Sequence, residues 1–268
     1  VHLCTSPNYH TAVTTFAGNA LHAKHTVVFM DRWDPEEALR LIERYRCTHT
    51  HMVPTQFIRM LQLPDEVRAK YDVSSMKWAI HAAAPCPVDT KRKMLEWWGP
   101  VIWEYYAATE GGGTLAPPDE WIKYPGTVGR AWPNATLKIT DDDGVEQPVG
   151  TPGTVWMRMG AGRTFEYKGD SEKTNKSHDA EGFFTVGDVG YFNEDGYLFL
   201  CDRKSDMIIA GGVNIYPAEI ESVIHEHPQV ADVAVFGVPD DDMGEQIKAV
   251  VEPIEGVAAD EALRASIM

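Results

Sequence analysis

Four clusters in this sequence combine residue types and spacings that could do chemistry. Ala82-Ala83-Ala84-Pro85 stands where an apolar run gives way to a turn, and three small side chains there would let a flat ring approach the backbone. A plain packed strand end accounts for it equally well. Tyr105-Tyr106-Ala107-Ala108-Thr109-Glu110-Gly111-Gly112-Gly113 offers an aromatic face for stacking, a hydroxyl for a phosphate oxygen, a carboxylate for a hard cation and a glycine-rich backbone. Those are the needs of a magnesium nucleotide, and the competing reading is a solvated loop after an edge strand. Thr185-Val186-Gly187-Asp188-Val189-Gly190-Tyr191 puts a carboxylate between glycines at a strand end, where it can accept two hydroxyls as a ribose presents them. The following Asn193-Glu194-Asp195-Gly196-Tyr197 is a hairpin turn and explains most of the glycines. The fourth cluster runs from Asp202 to Glu221, joining Asp202-Arg203-Lys204-Ser205-Asp206 to a Gly211-Gly212 turn and a helix begun by Pro217.

Three kinds of pattern must position these clusters. From Thr26 to Tyr106, short apolar runs alternate with amphipathic stretches. Thr26 to Met30 reads as a buried strand, and Asp34-Pro35-Glu36-Glu37 is a helix start ahead of Ala38, Leu41, Ile42 and Tyr45. Strands near 48–53 and 77–82, helices near 55–61 and 88–98, and a closing strand at 101–105 follow. Such alternation implies parallel strands with crossover helices, whose ligands sit at the strand C-termini. From about Gly126 to Leu200, turns such as Asp143-Gly144 and Thr151-Pro152-Gly153 separate short strands, which predicts a curled sheet or small barrel. After Asp202 to Ser205, placed as a domain boundary, come a helix at 217–225, strands at 230–237 and 248–252, and a helix starting near Asp260.

The overall numbers limit the function classes. Twenty-four Lys and Arg against 40 Asp and Glu leave a formal charge of −16 over 268 residues, which opposes nucleic acid and anionic membrane surfaces as partners. No apolar run is long enough to cross a membrane, and no basic segment with an apolar run opens the chain, so a cytoplasmic protein is expected. Cys4, Cys47, Cys86 and Cys201 have no Cys-x-x-Cys pairing and read as reduced thiols rather than a zinc site. Asp141-Asp142-Asp143-Gly144 is a turn, because Ile139 occupies the first ligand position of a calcium loop. His49-x-His51 and His225-x-His227 lack a third ligand at metal spacing, and Asp240 to Glu245 is a solvated acidic loop.

Taken in order and spacing, the four clusters resemble the adenylate-forming enzymes, and most closely the acyl-CoA synthetases, from about Leu3 to the end of the chain. Ser6-Pro7-Asn8-Tyr9-His10 is similar to that family's short Pro-x-Tyr-His segment at the acyl pocket. The resemblance implies an α/β fold: the C-terminal part of the large adenylate-forming domain over 1–202 (α/β to 125, β-rich after it), then an incomplete small α+β domain over 203–268. It implies that Ala83, Ala84 and Pro85 line the adenine site, that Tyr106 stacks on the ring, and that Thr109 binds phosphate. Glu110 would hold Mg²⁺, Asp188 the ribose hydroxyls and Arg203 the same nucleotide. His10 would join Thr109 and Glu110 in catalysis, Gly211 and Gly212 would flank the pantetheine path, and Asp202 to Ser205 would be a hinge. The implied partners are a carboxylic acid, ATP and CoA, and a homo-oligomer is compatible with the chain. The acid's tail would be mostly apolar, fatty, aromatic or sterol-derived, from Tyr9, His10, Ile80, His81 and the alanines after them.

The sequence departs from that family in several places. A phosphate loop expected upstream of Pro7 and a lysine expected beyond Met268 are absent, so this polypeptide alone is expected to be inactive in pyrophosphate exchange. Ala107 stands where the family usually has glycine, and Ser205 where its hinge usually carries aspartate or lysine. Two alternatives stay open: an adenylating ligase with a carrier-protein thiol or oxygen as acceptor, and a non-catalytic nucleotide-binding or interaction module.

Overall fold

The computed structural model describes residues 1–160, 164–240 and 243–268. The chain packs as two compact units, Val1–Thr136 with Arg158–Phe165, and Leu137–Met157 with Glu166–Met268.

The first unit follows the chain through β1 (His2–Cys4), α1 (Thr11–His22), β2 (Val27–Phe29), α2 (Pro35–Tyr45), β3 (His49–Met52), α3 (Pro54–Leu61), α4 (Asp65–Arg68), β4 (Trp78–His81) and α5 (Val88–Trp98). It closes with β5 (Ile102–Ala108), β6 (Gly111–Ala116), α6 (Pro118–Lys123) and β7 (Arg130–Ala131). These strands form one sheet in the order β2-β1-β3-β4-β5-β6-β7. The first five are mutually parallel, and β6 and β7 extend the sheet antiparallel beyond β5. Two expectations change here. The strand at 26–30 is not buried: β2 is the sheet edge and Phe29 is 51% exposed. The strand at 101–105 does not close the sheet, because β5 runs on to Ala108 and turns back into β6.

The helix starts follow local chemistry. At α2 the Asp34 carboxylate accepts from the Glu37 backbone N–H at 2.8 Å, satisfying a donor the helix cannot, and Pro35 presets the first turn. Arg46, left-handed at φ +49°, ends it. Leu39 and Ile42 then join Leu3, Met52, Phe57, Met60, Ala79, Met94 and Ile102 in a core on one face of the sheet, under α2, α3 and α5. Each of the Leu, Ile, Met and Phe side chains among them contributes about 1.5–3 kcal/mol by leaving water. Strand alternation sends the neighbours of these residues to the opposite face, where α1 lays Phe16 against His51, Trp78 and Tyr105.

The second unit contains most of β8 (Ala135–Thr140) and of β9 (Gly153–Met159), and all of α7 (Ser171–Lys176), β10 (Asp188–Phe192) and β11 (Leu198–Arg203). Its first sheet has the order β11-β10-β9-β8, with β10 antiparallel to both neighbours. Of the two expected forms, a curled sheet or a barrel, it is an open sheet. The chain continues through β12 (Ile208–Ala210), β13 (Val213–Ile215), α8 (Pro217–His225), β14 (Val230–Asp240), β15 (Gly244–Pro253) and α9 (Glu261–Ile267). The order β13-β12-β15-β14 makes a second antiparallel sheet, and Ile208, Val230, Val233 and Val235 pack there with Ile220 and Ile224 of α8. The acidic run at 240–245 is not one loop. Asp240 ends β14 and Glu245 lies inside β15, accepting from Ile209 N–H at 2.7 Å, while residues 241 and 242 lie outside the described residues.

Candidate active site

In the first unit the C-terminal edge of the parallel strands gathers the sequence candidates. β4 ends at His81, and the chain then turns through Ala82, Ala83, Ala84 and Pro85 before α5 starts at Val88. Ala82 is buried, and the next three are exposed. Ala83 is left-handed at φ +77°, a conformation that costs an L-residue roughly 1–2 kcal/mol. A bulkier side chain would make it worse, so the small residues serve the turn as well as leaving its backbone open.

The segment 105–113 is not a loop but the hairpin of β5 and β6. Thr109 and Glu110 form its two-residue apex between the paired Ala108 and Gly111. The glycines permit close strand contact: a Cβ on Gly113 would stand 2.5 Å from the Tyr106 carbonyl oxygen and 2.8 Å from the Trp132 ring. Ala107 falls in the bulge of the β5–β6 register, without a positive φ, so the methyl is tolerated there. His10 caps α1, its Nδ1 accepting from Ala12 N–H at 3.3 Å, and Tyr9 is exposed.

Three residues that sequence reasoning did not assign to the site, His51 having been set aside as a metal ligand, stand beside these. His51 Nε2 lies 3.1 Å from the Tyr105 hydroxyl, and burial with the nearby His10 lowers its pKa to about 4. Lys91 Nζ lies 2.7 Å from Glu104 Oε2 inside the core, and the Trp121 indole donates to the same carboxylate. Burial pushes Lys91 down and Glu104 up, and each charge opposes the other's shift. The signals were present: Lys91, Met94 and Trp98 share one helical stripe, and Glu104 alternates with Ile102 on the core face. His81 is corrected as a pocket-wall residue. It faces the core side, opposite to Ile80, fully buried against Phe57 and 3.5 Å from Glu104.

In the second unit Asp188 opens β10 directly opposite Arg203 of β11, with Arg203 Nε 3.5 Å from its carboxylate. Gly187 before it is left-handed at φ +87°. Asp202 accepts from Ala218 N–H at 2.9 Å, and Ser205 donates to Asp206 at 2.9 Å. Gly211 and Gly212, at φ +59° and +80°, make the tight turn between β12 and β13.

The match to known families now decides the matter: residues 1–164 match the model of the AMP-binding enzymes, and 219–268 that of the AMP-binding enzyme C-terminal domain. The chain belongs to the AMP-binding enzyme family. The expected membership of the adenylate-forming superfamily therefore holds, as does the α/β fold class. This family member is 32% identical over 257 residues to 4-coumarate–CoA ligase-like 3 of Arabidopsis thaliana, covering 94% of this chain and 46% of that protein. Among solved structures it is similar to the amide bond synthetase McbA from Marinactinospora thermotolerans, at TM-score 0.86 and 33% identity over 98% of this chain and 54% of that one. It is also similar to ATP-bound MatB from Rhodopseudomonas palustris, at TM-score 0.84 and 35% identity over 97% and 51%. The chain spans about half the length of the curated relatives it matches.

Among the described residues no group of three or more His, Cys, Asp or Glu side chains could hold a metal, and no helix is long and apolar enough to cross a membrane. A single carboxylate such as Glu110 still fits Mg²⁺, which is commonly bound through one or two carboxylates together with substrate phosphates and water.

Proposed function

We propose that the complete protein is an acyl-CoA synthetase, which joins a carboxylic acid to ATP and passes the acyl group to CoA. The observation that carries this reading is the Thr109–Glu110 apex at the C-terminal edge of a parallel sheet, beside the open Ala83 turn, in a chain of this family. Ala83, Ala84, Pro85 and the Tyr106 ring receive the adenine, Thr109 donates to a phosphate oxygen, and Asp188 with Arg203 takes the ribose. Glu110 holds Mg²⁺, which offsets charge on the phosphates. His10 orients the acid. The acid's carboxylate oxygen attacks the α-phosphorus, pyrophosphate leaves, and the CoA thiolate then attacks the acyl carbon with AMP as leaving group.

Asp202 to Ser205 serves as the pivot between the large and small domains, and Gly211-Gly212 flanks the pantetheine arm. The four cysteines are free, which supports a reducing, cytoplasmic setting. The likeness to an amide bond synthetase favours one second reading, in which an amine rather than a thiol accepts the acyl group. The test is acid-dependent ATP–pyrophosphate exchange by the complete protein over a panel of fatty, aromatic and sterol-derived acids, followed by product analysis with CoA or an amine. Thioester with CoA supports the proposal, amide alone supports the second reading, and no exchange with any acid despite AMP binding lost in Asp188→Ala leaves a non-catalytic nucleotide module.

A further inference from the structure

The Glu104 carboxylate is a meeting point of four chain segments, and all four lead to the candidate nucleotide edge. Glu104 lies in β5 two residues before Tyr106, on the same face by strand alternation. Directly across the ladder from it is His81, the last residue of β4 before the Ala82–Pro85 turn. Lys91, in the first turns of α5, stands just beyond the other end of that turn. Trp121 comes from α6, which follows β6, and Lys91 Nζ sits 4.6 Å above its ring. The 2.7 Å contact thus ties the α5 end of the turn to the strand that carries Tyr106, and the β4–β5 ladder holds the His81 end against the same residue.

Stability does not require this arrangement. The surrounding core is Met, Phe, Ile and Trp, and replacing a buried ion pair with apolar side chains of similar volume is often neutral or stabilising. The pair supplies instead what apolar packing lacks, a fixed direction and distance between the turn and the strand. The geometry points to Lys91 and Glu104 as positioning residues that set the spacing between the Ala83–Pro85 backbone and the Tyr106 ring, and so the grip on the nucleotide. This inference rests on the nucleotide reading above.

The test is the apolar double substitution Lys91→Met with Glu104→Leu in the complete protein. Melting temperature, AMP affinity by calorimetry, and the KM values for ATP and for the acid are the readouts. The expected result is a melting temperature close to wild type, apolar packing offsetting the Trp121 donor left without its acceptor, with AMP affinity and ATP KM each worse by roughly tenfold and an acid KM within about twofold. A stable double variant with unchanged AMP affinity and ATP KM overturns the inference while leaving the nucleotide reading standing. Wild-type protein that binds no adenine nucleotide sinks both. Should the double variant not fold, Lys91→Met with Glu104→Gln removes the ion pair while leaving an amide oxygen for the Trp121 indole; an ATP KM unchanged there is equally fatal.

Discussion

The Tyr105 hydroxyl and His51 Nε2 meet at 3.1 Å across two non-adjacent strands, with Phe16 stacked on the imidazole at 5.0 Å. Both groups stay neutral at physiological pH, since burial raises Tyr105 to about 12 and lowers His51 to about 4. The native chain therefore refuses a proton that unfolded histidine accepts near pH 6.5. Unfolded protein binds more protons between those values, so stability is fully present above pH 6.5 and is lost as pH falls toward 4. His2 and His49, also lowered to about 4, act in the same direction. Urea midpoints at pH 7, 6 and 5 are expected to fall steadily, and His51→Gln to flatten the fall by about 2 kcal/mol at most over that range. A flat profile in the wild type would contradict this.

Ala83→Gly should stabilise the protein, by up to about 1 kcal/mol, because glycine adopts φ +77° without a Cβ clash. Ala83→Val should destabilise it by about 1–2 kcal/mol or more through the same conformation. Chemical denaturation of the pair checks the sign, and equal midpoints for glycine and valine would remove the strain from the account.

The Asp34 cap predicts a loss of about 1 kcal/mol for Asp34→Ala and little change for Asp34→Asn, which keeps the accepting oxygen. Equilibrium unfolding of the two variants separates the cap from any charge effect. Equal losses in both would place the contribution in the charge.

Gly113→Ala is expected to cost about 3 kcal/mol or more, since its Cβ would stand 2.5 Å from the Tyr106 carbonyl oxygen with φ at +144°. Soluble yield and melting temperature report the loss, and Gly144→Ala is the comparison. There φ is +80° but nothing lies within 4 Å, so only the conformational part of the cost remains.

These positions also show what the sequence made legible. The helices at 35–45, 88–98 and 217–225 announce themselves through a cap or a proline at the start and an apolar stripe behind it. α1 has no such signature. Its cap is a histidine, its first turn has no acid, and Thr11, Thr14, Thr15 and Gly18 are poor helix formers, so it is held by what Phe16, Val13 and Ala17 bury. β6 begins Gly111-Gly112-Gly113, which reads as loop until β5 supplies its hydrogen-bonding partner. The candidate site was visible where backbone chemistry leaves a mark on sequence, in the alanine turn, the Thr-Glu apex and the Gly-Gly turn. Lys91, Glu104 and His51 gain their meaning only from partners on other elements, at sequence separations of 13 and 54 residues, which no local pattern encodes.

Arg203 offers the cleanest separation of binding from folding. Its side chain is 69% exposed and stands 3.5 Å from the Asp188 carboxylate, the geometry of a surface pair that is typically worth at most about 1 kcal/mol and is screened by salt. Asp188 is mostly buried at the start of β10, and β10 and β11 are held together by their ladder without that contact. Arg203→Ala should therefore leave the unfolding midpoint nearly unchanged. If Arg203 supports the nucleotide as proposed, the same substitution raises the ATP KM of the complete protein several-fold, and the effect shrinks at high ionic strength, where salt screens the guanidinium's attraction for the anionic nucleotide in the wild type. A midpoint drop without a change in KM would make Arg203 a partner of the fold alone.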